Sequence, residues 1–553
     1  MMQKFFVFMG ITGFLVVTII IFTSVPAIAK NGLNASFSWG NPGPASPVLH
    51  PGSAKGAGMM EEPLQQINPL MEEMIENGTF PGAVTFVARK GHIVQHEAYG
   101  NAFLYEDDQG NLTDDPIAMS EDTIFDLASI SKIFTSTAAM ILYEQGLFDL
   151  DDPVSAYIPE FAKNGKENVT IKQLMTHTSG FTSWIPLYTI GDNREERLQY
   201  VYQYPLDNSP GSTYTYSDLN MITLGALIER LSGQRLDEFV YENITVPLQM
   251  NDTMYNPPEA LKDRIAATEY QPWTNRGLVW GEVHDESAWS LDGVAGHAGV
   301  FSTASDLGKL AHMFINDGGY GGKQILQPET VALLVENQIP EFPGNDHGLG
   351  WELSQAWYMD GLSGSASIGH TGYTGTSLVV NLENDTIAIL LTNRVHPTRE
   401  TVTTNIARRE LARLTANAIP VAVPGDTDAW YAGHGDHLDN RSLTLEVSLE
   451  EDAILTYDTW YRIENYWDFG YVEVSNDGDN WNTVKDAYSG SSGDWISEEL
   501  TIPADTTHIR FRYSTDVAGN ERGWYVTNLK LSHSTIGSLP FDITSNGWME
   551  RNY

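Results

Sequence analysis

Phe125-Asp126-Leu127-Ala128-Ser129-Ile130-Ser131-Lys132 is the stretch on which the fold turns. It runs into residues 133–142, an apolar segment rich in Ala, Thr, Ile and Met that reads as a helix, with Gly146 as its stop. A helix beginning at Ser129 puts Lys132 about one turn on, on the same face. A hydroxyl and an amine then converge at a helix N-terminus, where free N–H groups favour developing negative charge. Ser131, next to the lysine in sequence, points to another face. Alone, Ser-x-x-Lys is a weak signal, and a serine N-cap followed by a solvated lysine accounts for it equally simply. The rest of the chain decides between the two.

The chain has 553 residues, enough for two or three domains with a sizeable core. It has no cysteine, which excludes disulfides, thiolate metal sites and a cysteine nucleophile. Its 31 basic and 72 acidic residues give a net charge of −41, which argues against nucleic acid and anionic membrane as partners. Lys4, the apolar run 5–22, Pro26 and the small residues Ala27-Ile28-Ala29 read as a secretory signal over 1–29, cut after Ala29. The run is nearly long enough to span a bilayer, so an uncleaved anchor is the alternative and the only route to a membrane. Either way the remainder lies outside the cytoplasm, secreted or held at the cell surface.

Residues 30–60 are rich in Gly, Pro, Ser and Ala and read as a flexible linker. Residues 64–75 read as an amphipathic helix, and 82–88 and 92–98 as strands joined at Lys90-Gly91. Tyr216 falls in a loop, Pro210 to Ser217, just before a helix over 219–231 stopped by Gly233. Gly293, Gly296 and Gly299 make a tight loop holding His297, and a helix follows over 305–315. Ser367-Ile368-Gly369-His370-Thr371-Gly372-Tyr373 leads into two strands, 377–381 and 386–391, expected to pair antiparallel, before a helix over 403–415. Beyond Val421, short alternating strands separated by turns such as Asn476-Asp477-Gly478-Asp479 indicate an all-β sandwich.

Three separated pieces now fit one pattern: Ser129-Ile130-Ser131-Lys132, Tyr216-Ser217-Asp218 and His370-Thr371-Gly372. In this order they resemble the S-x-x-K, S-D-N and K-T-G set of the serine β-lactamase and penicillin-binding protein superfamily. The tyrosine form of the middle motif resembles the class C β-lactamase and D-alanyl-D-alanine carboxypeptidase branch. Flanks such as 174–180 and 296–303 agree, and the likeness covers about 65–415. The resemblance implies an α+β fold, an antiparallel sheet flanked by helices plus an all-α part, over 61–418. The β-sandwich, over 428–553, resembles jelly-roll or MAM-like modules. It also implies roles. Ser129 would be acylated, and Lys132 would lower the hydroxyl's pKa or take its proton. Tyr216, as a phenolate stabilised by Lys132, would shuttle that proton. The N–H groups of Ser129 and Tyr373 would form the oxyanion hole, with Asp218, His370, Thr371 and Gly372 beside the substrate. No cofactor is implied for the chemistry.

Two positions depart from the pattern. His370 stands where many relatives carry Lys, which leans away from a true β-lactamase and would give the site a charge that titrates near about 6.5. Asp218 stands where relatives often carry Asn; it would either pair with Lys132 or cap the following helix. His284, Asp285 and Glu286 are adjacent and cannot all face one metal ion. His177 and His297 are expected to pin loops. In the sandwich, the aromatics are core or sugar-stacking platforms, and Asp477, Asp479 and Asp516 are candidates to hold Ca²⁺. The expected activity is a D-amino-acid peptidase working through a Ser129 acyl-enzyme on peptides, esters or peptidoglycan. Against it stand an esterase or weak β-lactamase of the same family, and a low-turnover wall-binding or penicillin-sensing protein.

Overall fold

The structure is a computed structural model and describes residues 45–436, 438–535 and 537–553. The expected signal segment 1–29 lies outside the described residues. Two short helices, α1 (Glu61–Gln65) and α2 (Ile67–Glu76), replace the single helix expected over 64–75, with a break at Gln66. The longer helices are α3 (Ser131–Glu144), α4 (Asp218–Ser232), α5 (Ala304–Ile315) and α6 (Asn405–Asn417).

The main sheet contains β1 (His50–Pro51), β2 (Gly82–Arg89), β3 (His92–Tyr105), β4 (Glu352–Leu353), β5 (Ser367–Thr371), β6 (Ser377–Asn381) and β7 (Thr386–Thr392), in the spatial order β1-β3-β2-β7-β6-β5-β4. All neighbours are antiparallel except β1 and β3. β6 and β7 pair as the sequence led one to expect. β2 is buried along its whole length. Its alternate side chains serve two cores, as the two-residue period of a strand requires. Val84, Phe86 and Ala88 pack with α3 and α5, and Ala83 and Val87 with α2 and α6. That double cover is why the strand reads as a near-continuous apolar run.

α3 is buried from Ser131 to Leu142, so it is covered on every side, its few polar side chains included. It packs against α4, and the loop at Gly296 touches both helices: an added Cβ there would lie 2.0 Å from the Met221 carbonyl oxygen of α4, and its carbonyl accepts from Thr135 Oγ1 of α3 at 2.8 Å. The start of α4, with Asp218 as its first residue and Tyr216 just before it, thereby comes to the start of α3.

Among the described residues from Ala429 onward, the regular elements are all strands. β8 (Ala429–Tyr431), β10 (Ala453–Ile463), β12 (Ile496–Ile502) and β14 (Gly523–His533) belong to one antiparallel sheet. β9 (Asn440–Glu446), β11 (Phe469–Ser475) and β13 (His508–Ser514) belong to a second. Leu443, Leu455, Val472, Phe511 and Trp524 from the two sheets share one core. Charged contacts tie this region to the first. Arg413 donates to Asp360 at 2.9 Å and to Asp436 at 2.7 Å, and Arg462 donates to the Gly361 carbonyl at 2.8 Å.

Candidate active site

Ser129 does not open an α-helix. It sits in a 3₁₀ turn, Ala128–Ile130, that runs into α3. The residue before it, Ala128, has φ +48°, a left-handed conformation that costs a non-glycine residue free energy and is held by its surroundings. Asp126 does the holding: its carboxylate accepts from the Ala128 N–H at 2.8 Å and from the His284 N–H at 2.6 Å.

Lys132 is fully buried and reaches Ser129 Oγ at 2.8 Å, the His297 carbonyl at 3.2 Å and Asp218 Oδ1 at 2.8 Å. Tyr216 stands against both Lys132 and Ser129, its ring centroid 4.9 Å from Lys132 Nζ. Two distant parts of the chain therefore meet, the Ser129–Lys132 turn and the loop that carries Tyr216. Ser131 turns away, as expected, its Oγ accepting from the Val300 N–H at 3.0 Å.

The electrostatics correct two expectations. Burial pulls the Lys132 ammonium down, but the Asp218 carboxylate and Tyr216 outweigh it and hold it above its ordinary value. Burial, against the pull of Lys132, pushes the Tyr216 phenol up to about 12. The resting site is thus an ammonium, a carboxylate and a neutral phenol, not a phenolate. Asp218 is the first residue of α4 and pairs with Lys132; the position before the helix belongs to Ser217. Since the carboxylate raises both groups, Asp218→Asn is expected to lower both pKa values and to move the alkaline rise of kcat/KM to lower pH, by about one unit. A pH–rate profile checks this; a rise unmoved or shifted upward would contradict it.

His370 does not titrate near neutrality. It is buried, and desolvation, then Lys132, push it down to about 3. Its Nδ1–H donates to the Thr371 carbonyl at 2.8 Å. His370 therefore acts as a neutral ring 6.0 Å from that of Tyr216, and no pH switch follows from it. His177 packs its ring 4.6 Å from Tyr216 on the other side. Its Nδ1 accepts from the Ser217 N–H at 3.2 Å, fixing the loop that carries the tyrosine.

Thr371 ends β5, and Gly372 and Tyr373 follow it against the Ser129 turn. Thr376 Oγ1 donates to the Leu127 carbonyl at 3.1 Å, Thr374 Oγ1 to the Asp126 carbonyl at 2.7 Å, and Arg408 to the Gly372 carbonyl at 2.8 Å. An added Cβ at Gly372 would sit 2.1 Å from Thr376 Oγ1 and 2.4 Å from the Leu127 carbonyl oxygen. Gly372→Ala is accordingly expected to destabilise the protein by about 3 kcal/mol and to remove most activity, as read by melting and ester hydrolysis. A normal melt with full activity would contradict the close approach. Tyr373 itself is 51% exposed. Arg399 lies over the rings of Tyr373 and Trp273, at 5.7 and 5.0 Å, and is anchored by Glu269 and Glu286.

His284, Asp285 and Glu286 point to three places: Glu269, His297 and Arg399. Asp285 and His297 come near Asp218, the three ligand atoms within 4.8 Å of one another, but Lys132 already neutralises Asp218. Asp516 groups with Glu464 and Asp468 instead of with Asp477 and Asp479. Asp477 is spent on its own turn, accepting from the N–H groups of Asp479 and Asn480 at 2.9 and 2.8 Å. Sequence reasoning missed Asp126, Arg408 and Thr376, which hold the turn and the strand end. Of these only Asp126 carried a signal, an acid embedded in an apolar run three residues before the serine.

Comparison with known proteins agrees with this geometry. The family model described as Beta-lactamase matches residues 67–413. A protein of Escherichia coli (strain K12) with the provisional name D-alanyl-D-alanine carboxypeptidase is 32% identical over 384 residues, 63% of this chain and 86% of the relative. An N-acetylmuramyl-L-alanine amidase of Bacillus subtilis (strain 168) is 32% identical over 375 residues, 62% of this chain and 84% of the relative. Among solved structures, EstCE1, a hydrolase with promiscuous acyltransferase activity, superposes with a TM-score of 0.52 at 21% identity, covering 64% of this chain and 99% of its own. A penicillin-binding protein homolog from Caulobacter crescentus does so with a TM-score of 0.52 at 18% identity, covering 66% and 99%. The chain belongs to the Beta-lactamase family and is a serine hydrolase of the β-lactamase and penicillin-binding-protein fold.

Proposed function

We propose that the protein is an exported D-amino-acid peptidase that works through a Ser129 acyl-enzyme, with wall-type peptides as its substrate class. The observation that carries this is the meeting of Ser129, Lys132 and Tyr216 beside the end of β5. Relatives named for a carboxypeptidase and a muramyl amidase support the peptide substrate. Export rests on the apolar run 5–22 and Ala27-Ile28-Ala29. Among the described residues no helix is long and apolar enough to cross a membrane.

Ser129 Oγ attacks the carbonyl carbon, and the new oxyanion is held by the N–H groups of Ser129 and Tyr373, worth about 3 kcal/mol per donor. Lys132, donating to Oγ, makes the hydroxyl more acidic. The hydroxyl proton passes to the Tyr216 oxygen as that phenol gives its own proton to the leaving amine, while the Lys132 ammonium stabilises the charge that develops on both oxygens. Water then hydrolyses the ester by the same relay in reverse, its proton going to the Tyr216 oxygen as the phenol proton returns to Ser129 Oγ. His370 and His177 hold the phenol between two neutral rings.

Asp218 favours a second reading, an esterase. Its carboxylate beside Lys132 cannot donate a hydrogen bond to a peptide carbonyl while charged. Steady-state rates on a peptide ending in D-alanyl-D-alanine and on a nitrophenyl ester decide between them. Release of D-alanine with kcat/KM within about tenfold of the ester supports the peptidase. Fast ester cleavage with no D-alanine released would leave only the esterase.

A further inference from the structure

Four aromatic residues stand side by side on the strand-only region's first sheet. The register sets Tyr431 opposite Tyr525 and Tyr525 opposite Trp460. β10 and β12 pair as far as Thr459 with Ile496, and one further step places Trp495 opposite Trp460. The rings follow this order. Tyr431 and Tyr525 stack at 4.3 Å, and Trp460 and Trp495 meet Tyr525 edge-on at 5.8 and 6.3 Å. Tyr525 lies between Trp524 and Val526, which point into the core shared by the two sheets. The aromatic row is therefore on the opposite face.

The row has two halves. Tyr431 and Tyr525 are buried, the former beneath Arg551 at 4.5 Å. Trp460 and Trp495 are only half-buried, and they line a cavity of about 420 Å³ between this sheet and the catalytic region. Had the tryptophans served only to glue the two regions together, they would be covered as the tyrosines are.

The cavity also carries three arginines against two carboxylates, Glu383 and Asp494, an excess of positive charge against the trend of a chain with 31 basic and 72 acidic residues. Arg89, Arg462 and Arg522 line it. Arg89 and Arg522 donate to backbone carbonyls and to neutral side chains. Arg462 is less well satisfied. It donates to one carbonyl, and its nearest carboxylates, Glu383 and Glu521, stand off at 3.8 and 3.9 Å. Arg462 Nε and Trp495 Nε1 are buried with no hydrogen-bond partner among the described residues. Such donors are costly unless something accepts from them.

Indole faces stack on the C–H face of a pyranose ring, and a guanidinium takes a carboxylate. We infer that this cavity is a second, non-catalytic site that binds a carboxylate-bearing saccharide, with Trp460 and Trp495 as the stacking surface and Arg462 as the anion partner.

Calorimetric titration of the full chain tests it, with the disaccharide N-acetylglucosaminyl-N-acetylmuramic acid as probe and neutral N,N′-diacetylchitobiose as comparator. Saturable binding of the acidic disaccharide at millimolar concentration or below is expected, about tenfold tighter than the neutral one. Trp495→Ala is expected to weaken it about tenfold and Trp495→Phe to retain most of it, with nitrophenyl ester hydrolysis unchanged in both. No saturable binding, equal affinity for the neutral disaccharide, or binding indifferent to Trp495→Ala would each overturn the inference. Hydrolysis at Ser129 is read separately, so the outcome does not depend on the proposed peptidase.

Discussion

Lys132→Ala is expected to lower kcat/KM for any acylating substrate by about 10,000-fold. The lysine is the one group that touches the nucleophile, the Asp218 carboxylate and the tyrosine at once. Its removal takes away together the hydrogen bond that makes Ser129 acidic and the positive charge that eases proton transfer through Tyr216. It also leaves Asp218 without its cation, which for a buried pair is destabilising by about 3 kcal/mol or more. The double variant Lys132→Ala with Asp218→Asn separates the two effects. It is expected to recover much of the melting temperature and none of the activity. Activity returning with stability would mean that the lysine is only structural.

Tyr216→Phe removes a single oxygen. The ring keeps its contacts with His177 and with the Lys132 ammonium, so stability should change by less than about 1 kcal/mol. Activity on a D-peptide should fall about 1,000-fold, because the leaving amine must receive a proton and the phenol is placed to deliver it. An ester, whose leaving group departs as an anion, should suffer less. Equal activity of the phenylalanine variant on both substrates would take Tyr216 out of the proton path.

The sequence carried the site further than it carried its electrostatics. Ser129, Lys132 and Tyr216 were legible because their chemistry depends on residue type and order. The turn that lifts Ser129 was not, since nothing local signals that Ala128 takes a positive φ; Asp126 and the distant His284 backbone impose it. His370 looked like a neutral-pH switch on its intrinsic pKa alone. Burial and the Lys132 charge, both products of the tertiary fold, move it out of that range. For Asp218 both roles were visible in the sequence, and only the approach of α4 to α3 selects the ion pair. Strands were clear where two-residue alternation or flanking turns marked them. The single helix expected over 64–75 failed at Gln66, a break that Pro69 advertises, since a proline can neither donate to the carbonyl four residues back, at Gln65, nor pack against it.

A covalent intermediate on one serine is what the whole account requires. The protein is to be mixed with a penicillin or a slowly deacylated ester, quenched, digested and sequenced by tandem mass spectrometry. The expected result is one acyl group per chain, carried on Ser129 and absent from Ser131 and from the Ser129→Ala protein. Hydrolysis that continues in the Ser129→Ala protein, or a label fixed on any other residue, would contradict it.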